Sequence, residues 1–232
     1  MRRAGPQTSS KQSPRGTGAT LFRFDRDLKS PQRGAQPFHV VGIDEAGRGP
    51  WAGPVTASAV CLPPQFFDSG LADSKLLSPQ TRERLHGKIT AEAVFGIAVI
   101  EVEHIDAVNI LRATHQAMKN ALLNLLEKHP ELTPDLVVVD GRPVPDMGYP
   151  QKNIVKGDQK SAAIAAAGIL AKVTRDRIML GLHERYPDYD FASHKGYGTK
   201  KHLEKLLAHG PCPIHRKSFR PGKEMIGAAA RT

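Results

Sequence analysis

Two adjacent carboxylates, Asp44 and Glu45, follow the apolar run Val40-Val41-Gly42-Ile43 and lead into Gly47-Arg48-Gly49. The β-branched run predicts a buried strand. Two acids at a strand end repel each other and lose hydration together, which disfavours their charged forms. A divalent cation removes both problems, because hard cations such as Mg²⁺ prefer carboxylate oxygens. The glycines let the backbone approach a ligand closely, and the arginine between them holds a charge suited to phosphate. Carboxylates, cation and phosphate together point to phosphoryl-transfer chemistry. Taken alone, an Asp-Glu pair after a strand more often reads as a solvated turn, so the remaining acids decide the matter.

Two further segments end in the same manner. Leu136-Val137-Val138-Val139 is a near-continuous apolar run that closes on Asp140-Gly141, and a short strand over residues 153–156 closes on Gly157-Asp158. Asp158 also fits the N-cap of the helix that follows it. In open α/β sheets ligands bind where strand ends gather at one edge. Asp44, Glu45, Asp140 and Asp158 converging there without a cation would repel one another strongly. Four oxygen donors suit two Mg²⁺ or Mn²⁺ ions about 3.5–4 Å apart, which activate a water and stabilise the leaving oxygen.

The elements that must position these acids are readable from periodicity and punctuation. A second strand, 54–62, pairs antiparallel with the first through the glycine-rich turn. Asp73-Ser74-Lys75 lies in a loop, and Ser78-Pro79 starts a helix to about residue 91. A third strand spans 94–102, a helix about 110–128, and a long alanine-rich helix about 159–185. Residues 193–198 form a glycine-rich basic loop, and Thr199 caps a last helix to about 208. Alternating strands and helices predict an α/β layered fold, with a mixed sheet covered on both faces.

At 232 residues the chain supports one substantial core. Its net charge of +10 sits at the ends: +6 over residues 1–37, +4 over 215–232, and zero between. Basic arms on a neutral body add non-specific attraction to nucleic acid. The polar, aperiodic residues 1–37 predict a disordered basic extension whose deletion leaves the fold intact; residues 38–220 form the folded domain and 221–232 a flexible basic tail. Cys61 and Cys212 form no Cys-x-x-Cys pair, so neither zinc nor a disulfide framework is indicated, and a reduced cytoplasmic setting is the default. No apolar run approaches the ~20 residues of a membrane helix, and no apolar stretch after Met1-Arg2-Arg3 makes a secretory signal.

The motifs are specific enough to carry a resemblance. GIDEAGRGP at 42–50, DSK at 73–75, VVVDG at 137–141, KGDQKSAAIAAAGILAKVTRDR at 156–177, HKGYGTKKH at 194–202 and GPCPIHRKSF at 210–219 together resemble ribonuclease HII. The resemblance implies a ribonuclease H-like fold: a mixed five-stranded sheet flanked by helices, with a helical C-terminal part. It implies a Mg²⁺- or Mn²⁺-dependent endonuclease that hydrolyses the RNA strand of RNA–DNA hybrids. The same enzyme would nick duplex DNA 5′ of embedded ribonucleotides, leaving 3′-hydroxyl and 5′-phosphate ends. Ribonucleotide excision repair and replication would be its setting, as a monomer with no obligate protein partner. The family's four acids fall on Asp44, Glu45, Asp140 and Asp158. Its ribose-sensing turn falls on Gly47, Arg48 and Gly49, its sugar-stacking tyrosine on Tyr197, and a phosphate contact on Lys75. The related ribonuclease HIII type carries a folded N-terminal domain, for which this leader is too short and polar. The tail shows no aromatic motif for a sliding clamp.

These assignments agree with the physics. The 2′-hydroxyl distinguishes RNA from DNA, reading it needs close backbone approach, and a flat ring at Tyr197 can reject a neighbouring ribose. Lys156, Lys195 and His194 are further candidates for phosphate contact. Asp176 reads as one half of a structural ion pair with a neighbouring arginine. Two other classes stay open: a non-catalytic hybrid-binding protein, which would have no reason to keep mutually repelling acids, and an exonuclease, which would cut from an end.

Overall fold

The computed structural model describes residues 18–28 and 38–220. Strand β1 (Val40–Ala46) pairs antiparallel with β2 (Val55–Cys61), which pairs antiparallel with β3 (Val94–Ile100). On its other side β1 runs parallel to β4 (Leu136–Asp140), and β4 parallel to β5 (Gln151–Ile154). The order is β3-β2-β1-β4-β5, so the acid-bearing strand is central. This is the mixed five-stranded sheet expected, with β5 starting two residues earlier than its apolar character suggested.

The helices begin where capping chemistry places them. After α1 (Gly18–Asp27), α2 (Pro79–Glu92) starts at Ser78, whose hydroxyl accepts the Thr81 N–H at 3.1 Å, with Pro79 in its first turn. Helix α3 (Val102–Val108) passes into α4 (Ile110–Lys128), capped by the Asn109 side chain. Helix α5 (Ala162–Arg185) is capped by Ser161, and the single turn α6 (Phe191–His194) precedes α7 (Lys200–His209), capped by Thr199.

Strand alternation sorts the core into two layers. Val41, Ile43, Val137 and Val139 face the Ala113, Ala117, Ala121 and Leu125 stripe of α4. Val40 and Val138 face the opposite way, toward Ile164 of α5, whose alanines also pack on Leu85 and Ile89 of α2. Helix α5 lies directly on β1: a Cβ at Gly42 would come within 2.2 Å of the Ala163 carbonyl carbon. A third cluster, Ala52, Met179, Tyr189, Phe191 and Leu206, joins the C-terminal helices to the turn after β1.

Two expectations need correction. The long helix begins at Ala162, because residues Gly157–Gln159 form a 3-10 turn and Ser161, not Asp158, caps α5. The leader is not uniformly disordered: α1 docks on the core, with Leu21 1% exposed and Phe22 and Phe24 packed beside it. Asp25 accepts the Ala163 N–H at 2.8 Å at the start of α5, and burial pushes its carboxyl up to about 6. The helix is short, it sits in an otherwise polar leader, and the residues it packs against lie far along the chain, although its apolar residues do share one face. The rest of the leader, 1–17 and 29–37, and the tail 221–232 lie outside the described residues.

Leu21→Ala should destabilise the protein by about 2–5 kcal/mol in denaturant unfolding, and deletion through residue 28 should lower the melting temperature further. An unchanged melting temperature would show that α1 is not part of the fold.

Candidate active site

Register brings the acids together. Ile43 pairs with Val139 in the parallel β1–β4 ladder, so Asp44 and Asp140 emerge side by side at one sheet edge. Lys156, with φ of 55°, turns the chain after β5 into the 3-10 turn that carries Asp158. That turn is tied to β4, since Asp140 Oδ1 accepts the Gly157 N–H at 2.6 Å. Carboxylate oxygens of Asp44, Asp140 and Asp158 lie within 4.8 Å of one another.

Glu45 stands apart from this triad. Adjacent strand residues point to opposite faces, so Asp44 turns toward α5 and Glu45 toward α4. A Cβ at Gly168 of α5 would meet Asp44 Oδ2 at 2.3 Å; only glycine leaves room for that carboxylate. Glu45 instead lines a small cleft with Arg48, Leu111, His115, Asp140 and Arg142, and its Oε1 lies 3.5 Å from Arg48 Nη1. Asp140 therefore borders both the triad and the Glu45 cleft.

The electrostatics record the crowding. Asp44 is held well above the usual carboxylate range, first by burial and then by repulsion from Glu45 and Asp140. Burial, then Asp73 and Asp140, push Asp158 up to about 6, against the pull of Lys75. Burial also raises Glu45, with Arg48 opposing. Lys75 Nζ lies 3.7 Å from Asp158 Oδ2; burial disfavours its charge, but Asp158 and Asp73 more than offset this and raise its pKa.

Asp73 is a buried acid beside the triad that the sequence reading passed over, although it opens the Asp-Ser-Lys motif. It caps the turn that presents Lys75, accepting the Lys75 N–H at 2.9 Å, and its Oδ2 lies 3.3 Å from the Gln159 amide nitrogen.

The turn after the acids is gripped from below by two arginines that are 0% exposed. Arg175 donates to the carbonyls of Pro54, Lys195 and Ala52. Arg216 donates to those of Gly47, Arg48, Gly53 and Pro54. Burial, and then the charge of Arg175, push Arg216 down to about 9, still cationic at neutral pH. Gly47, with φ of 98°, has no room for a side chain, since its Cβ would meet Arg175 Nε at 2.2 Å. The sequence carried one sign of Arg175: it lies seven residues after Gly168, on the same face of α5. Arg216 carried no such sign.

Tyr197 is 42% exposed, and its ring edge lies 4.0 Å from where a Cβ of Gly49 would be. Lys172 Nζ and the Arg175 guanidinium lie 5.7 and 5.8 Å from its ring centre. Lys156 is exposed near the acids, whereas Lys195 Nζ turns back to the Ala192 carbonyl. His194 is buried and bonded within its own loop, which removes it as a phosphate contact. Asp176 pairs with Lys172 at 2.8 Å rather than with an arginine.

The donor set fits a hard dication: three carboxylates lie within ligation reach of a common point, and burial and repulsion penalise the charged forms of Asp44 and Asp158. In the metal-free protein the raised pKa of Asp158 contributes stability present below its ordinary value of 3.8 and lost as pH rises through about 6. Added Mn²⁺ should therefore raise the melting temperature over a chelated sample by an increment that grows between about pH 5 and pH 7.5. A pH-independent increment would place the ion elsewhere.

A family model described as Ribonuclease HII matches residues 41–221. A ribonuclease HII of Caldicellulosiruptor saccharolyticus is 50% identical over 181 residues, 78% of this chain and 86% of that protein. One of Bacillus thuringiensis is 50% identical over 189 residues, 81% of this chain and 71% of that protein. Among solved structures, the ribonuclease HII in a complex with PCNA from Archaeoglobus fulgidus is 25% identical with a TM-score of 0.63, over 79% of this chain and 96% of that one. The ribonuclease H2 of Pyrococcus horikoshii, 24% identical, aligns at a TM-score of 0.67 over 84% of this chain and all of that one, and shows the fold. So does Bst-RNase HIII in complex with Mn²⁺, 16% identical at a TM-score of 0.63, over 84% of this chain and 71% of that one.

Proposed function

We propose, for a chain that belongs to the ribonuclease HII family and is a ribonuclease H, that it cuts both RNA–DNA hybrids and duplex DNA 5′ of single embedded ribonucleotides. The observation that carries this reading is the meeting of Asp44, Asp140 and Asp158 within 4.8 Å at the sheet edge. Hydrolysis adds water across a phosphorus–O3′ bond: the phosphate stays on the 5′ end of the ribonucleotide, and a proton passes to the departing 3′ oxygen. Two Mg²⁺ or Mn²⁺ ions, when bound, would supply a nucleophilic water at neutral pH and neutralise charge on the phosphate.

Asp44, Asp140 and Asp158 would hold these ions, with Glu45 reaching the edge from the α4 side. Arg48, paired with Glu45, would exchange that partner for a phosphate. With the Gly47 and Arg48 carbonyls bonded to Arg216, the turn is left to meet a ribose 2′-hydroxyl with its amides. Tyr197, beside Gly49, would stack on the sugar past the junction, and Lys75 would contact a phosphate. Residues 38–220 together with the docked helix α1 are the catalytic unit on this reading, with the basic ends of the chain adding salt-sensitive attraction for nucleic acid. No helix among the described residues is long and apolar enough to cross a membrane; action in the cytoplasm as a monomer completes the reading.

A duplex DNA with one ribonucleotide, incubated with Mg²⁺ or Mn²⁺, should be nicked once, 5′ of the ribose. Laddering from an end, or no cut in either metal, would refute this. Asp140→Asn removes charge but little volume, so cleavage should be lost while substrate binding, measured by anisotropy, persists. Tyr197→Ala should weaken cleavage at a single ribonucleotide more than cleavage of a continuous hybrid; equal losses would assign the ring to packing.

A further inference from the structure

Three buried histidines, His194, His202 and His215, pack ring against ring next to the backbone of Tyr197. Their hydrogen bonds decide which nitrogen of each ring carries hydrogen. His202 Nδ1 lies 2.9 Å from the Tyr197 carbonyl, which can only accept, so Nδ1 bears a hydrogen. His202 Nε2 lies 3.0 Å from His215 Nε2. A neutral ring has one N–H, so His202 Nε2 accepts and His215 Nε2 donates. His215 Nδ1 is then bare and accepts the Cys212 N–H at 3.0 Å, nearer than the Cys212 carbonyl at 3.3 Å. The chain of donors runs from Cys212 through His215 and His202 to Tyr197.

This chain ends at a loop that needs holding. Lys195 and Gly196 are both left-handed, with φ of 51° and 81°. Thr199 N–H and His202 Nδ1–H converge on the Tyr197 carbonyl, and Tyr197 N–H donates to His194. Among the described residues, the exposed Tyr197 ring edges against Gly49 and has Lys172 and Arg175 at 5.7 and 5.8 Å, cations that attract weakly in water. Its place is therefore set by its backbone. Trp51 reinforces the arrangement: its backbone N–H donates to the Gly196 carbonyl, its ring lies 5.4 Å from that of His202, and a Cβ at Gly198 would overlap that ring at 2.3 Å. Through Trp51 and the bridge between Ala52 and His215, the relay is coupled to the turn that carries Gly47, Arg48 and Gly49.

We propose that His202 and His215 are positioning residues, an uncharged imidazole relay that fixes Tyr197 and thereby supports cleavage at single embedded ribonucleotides more than cleavage of continuous hybrids. The proposal rests on the sugar-stacking role of Tyr197. Burial supports the uncharged state, since it pushes both rings down to about 4.

Nitrogen-15 NMR of histidine-labelled protein at about pH 7 reads the tautomers directly. The expected spectrum has His202 neutral with hydrogen on Nδ1, and His215 neutral with hydrogen on Nε2. A charged ring, or hydrogen on Nε2 of both, would overturn the relay. In kinetics, His202→Phe should lower kcat/KM on a single-ribonucleotide duplex by about ten- to a hundredfold, as a misplaced positioning group does, and lower hybrid cleavage far less. His202→Asn, whose amide nitrogen reaches the Tyr197 carbonyl, should restore most of the loss, and His215→Gln should outperform His215→Leu for the matching reason. Equal losses on both substrates, with no rescue by the amides, would reduce the pair to core packing. Failure of the Tyr197 reading shows differently: an unbiased Tyr197→Ala with the tautomers as assigned.

Discussion

Like charges held close together are the constraint that the rest of this structure serves. Asp44, Asp140 and Asp158 present oxygens within 4.8 Å of each other, in surroundings that favour the protonated forms of Asp44 and Asp158. Nothing local would keep them there. They stay because β1 is the middle strand, β4 runs parallel beside it, and α5 lies on the β1 backbone. Apolar burial across both faces of the sheet supplies the rigidity, and small residues at the α5 contact supply the space. A dication at this edge would turn the repulsion into ligation, so the same arrangement that disfavours the metal-free acids favours the loaded site.

Charge of the opposite sign does a different job one layer down. Arg175 and Arg216 are buried with backbone carbonyls as their hydrogen-bond partners. A planar guanidinium has five N–H donors, and the turn after β1 offers a matching array of oxygens. Burying such a cation without those bonds would be costly, so the arginines and the turn stabilise each other in one conformation. The result is a rigid loop at the exit of the acidic strand, with its carbonyls turned toward the protein.

Distant parts of the chain converge on this frame. Arg216 reaches back to Arg48 across 168 residues, and Asp25 reaches forward to Ala163 across 138. The C-terminal segment and the leader helix are thus structural parts of the fold, one bracing the glycine-rich turn after β1 and the other capping the helix that follows Asp158.

The order of elements, the strand-end acids and the glycine turn were legible along the chain. Periodicity, caps and turn residues are properties of neighbours, and the motifs were long enough to indicate the family. Strand alternation already parts Asp44 and Glu45 to opposite faces, but tertiary structure alone decided which helix each one meets and that Asp73 joins Asp158. The pairing of Asp176 with Lys172 is a local i,i+4 contact on α5, whereas tertiary structure alone showed α1 on the core and two arginines inside the turn. Each of those depends on which segments the sheet order makes adjacent. Contacts between residues tens to more than a hundred positions apart leave little periodic trace in the residues that make them, so their roles emerge only when the chain is folded.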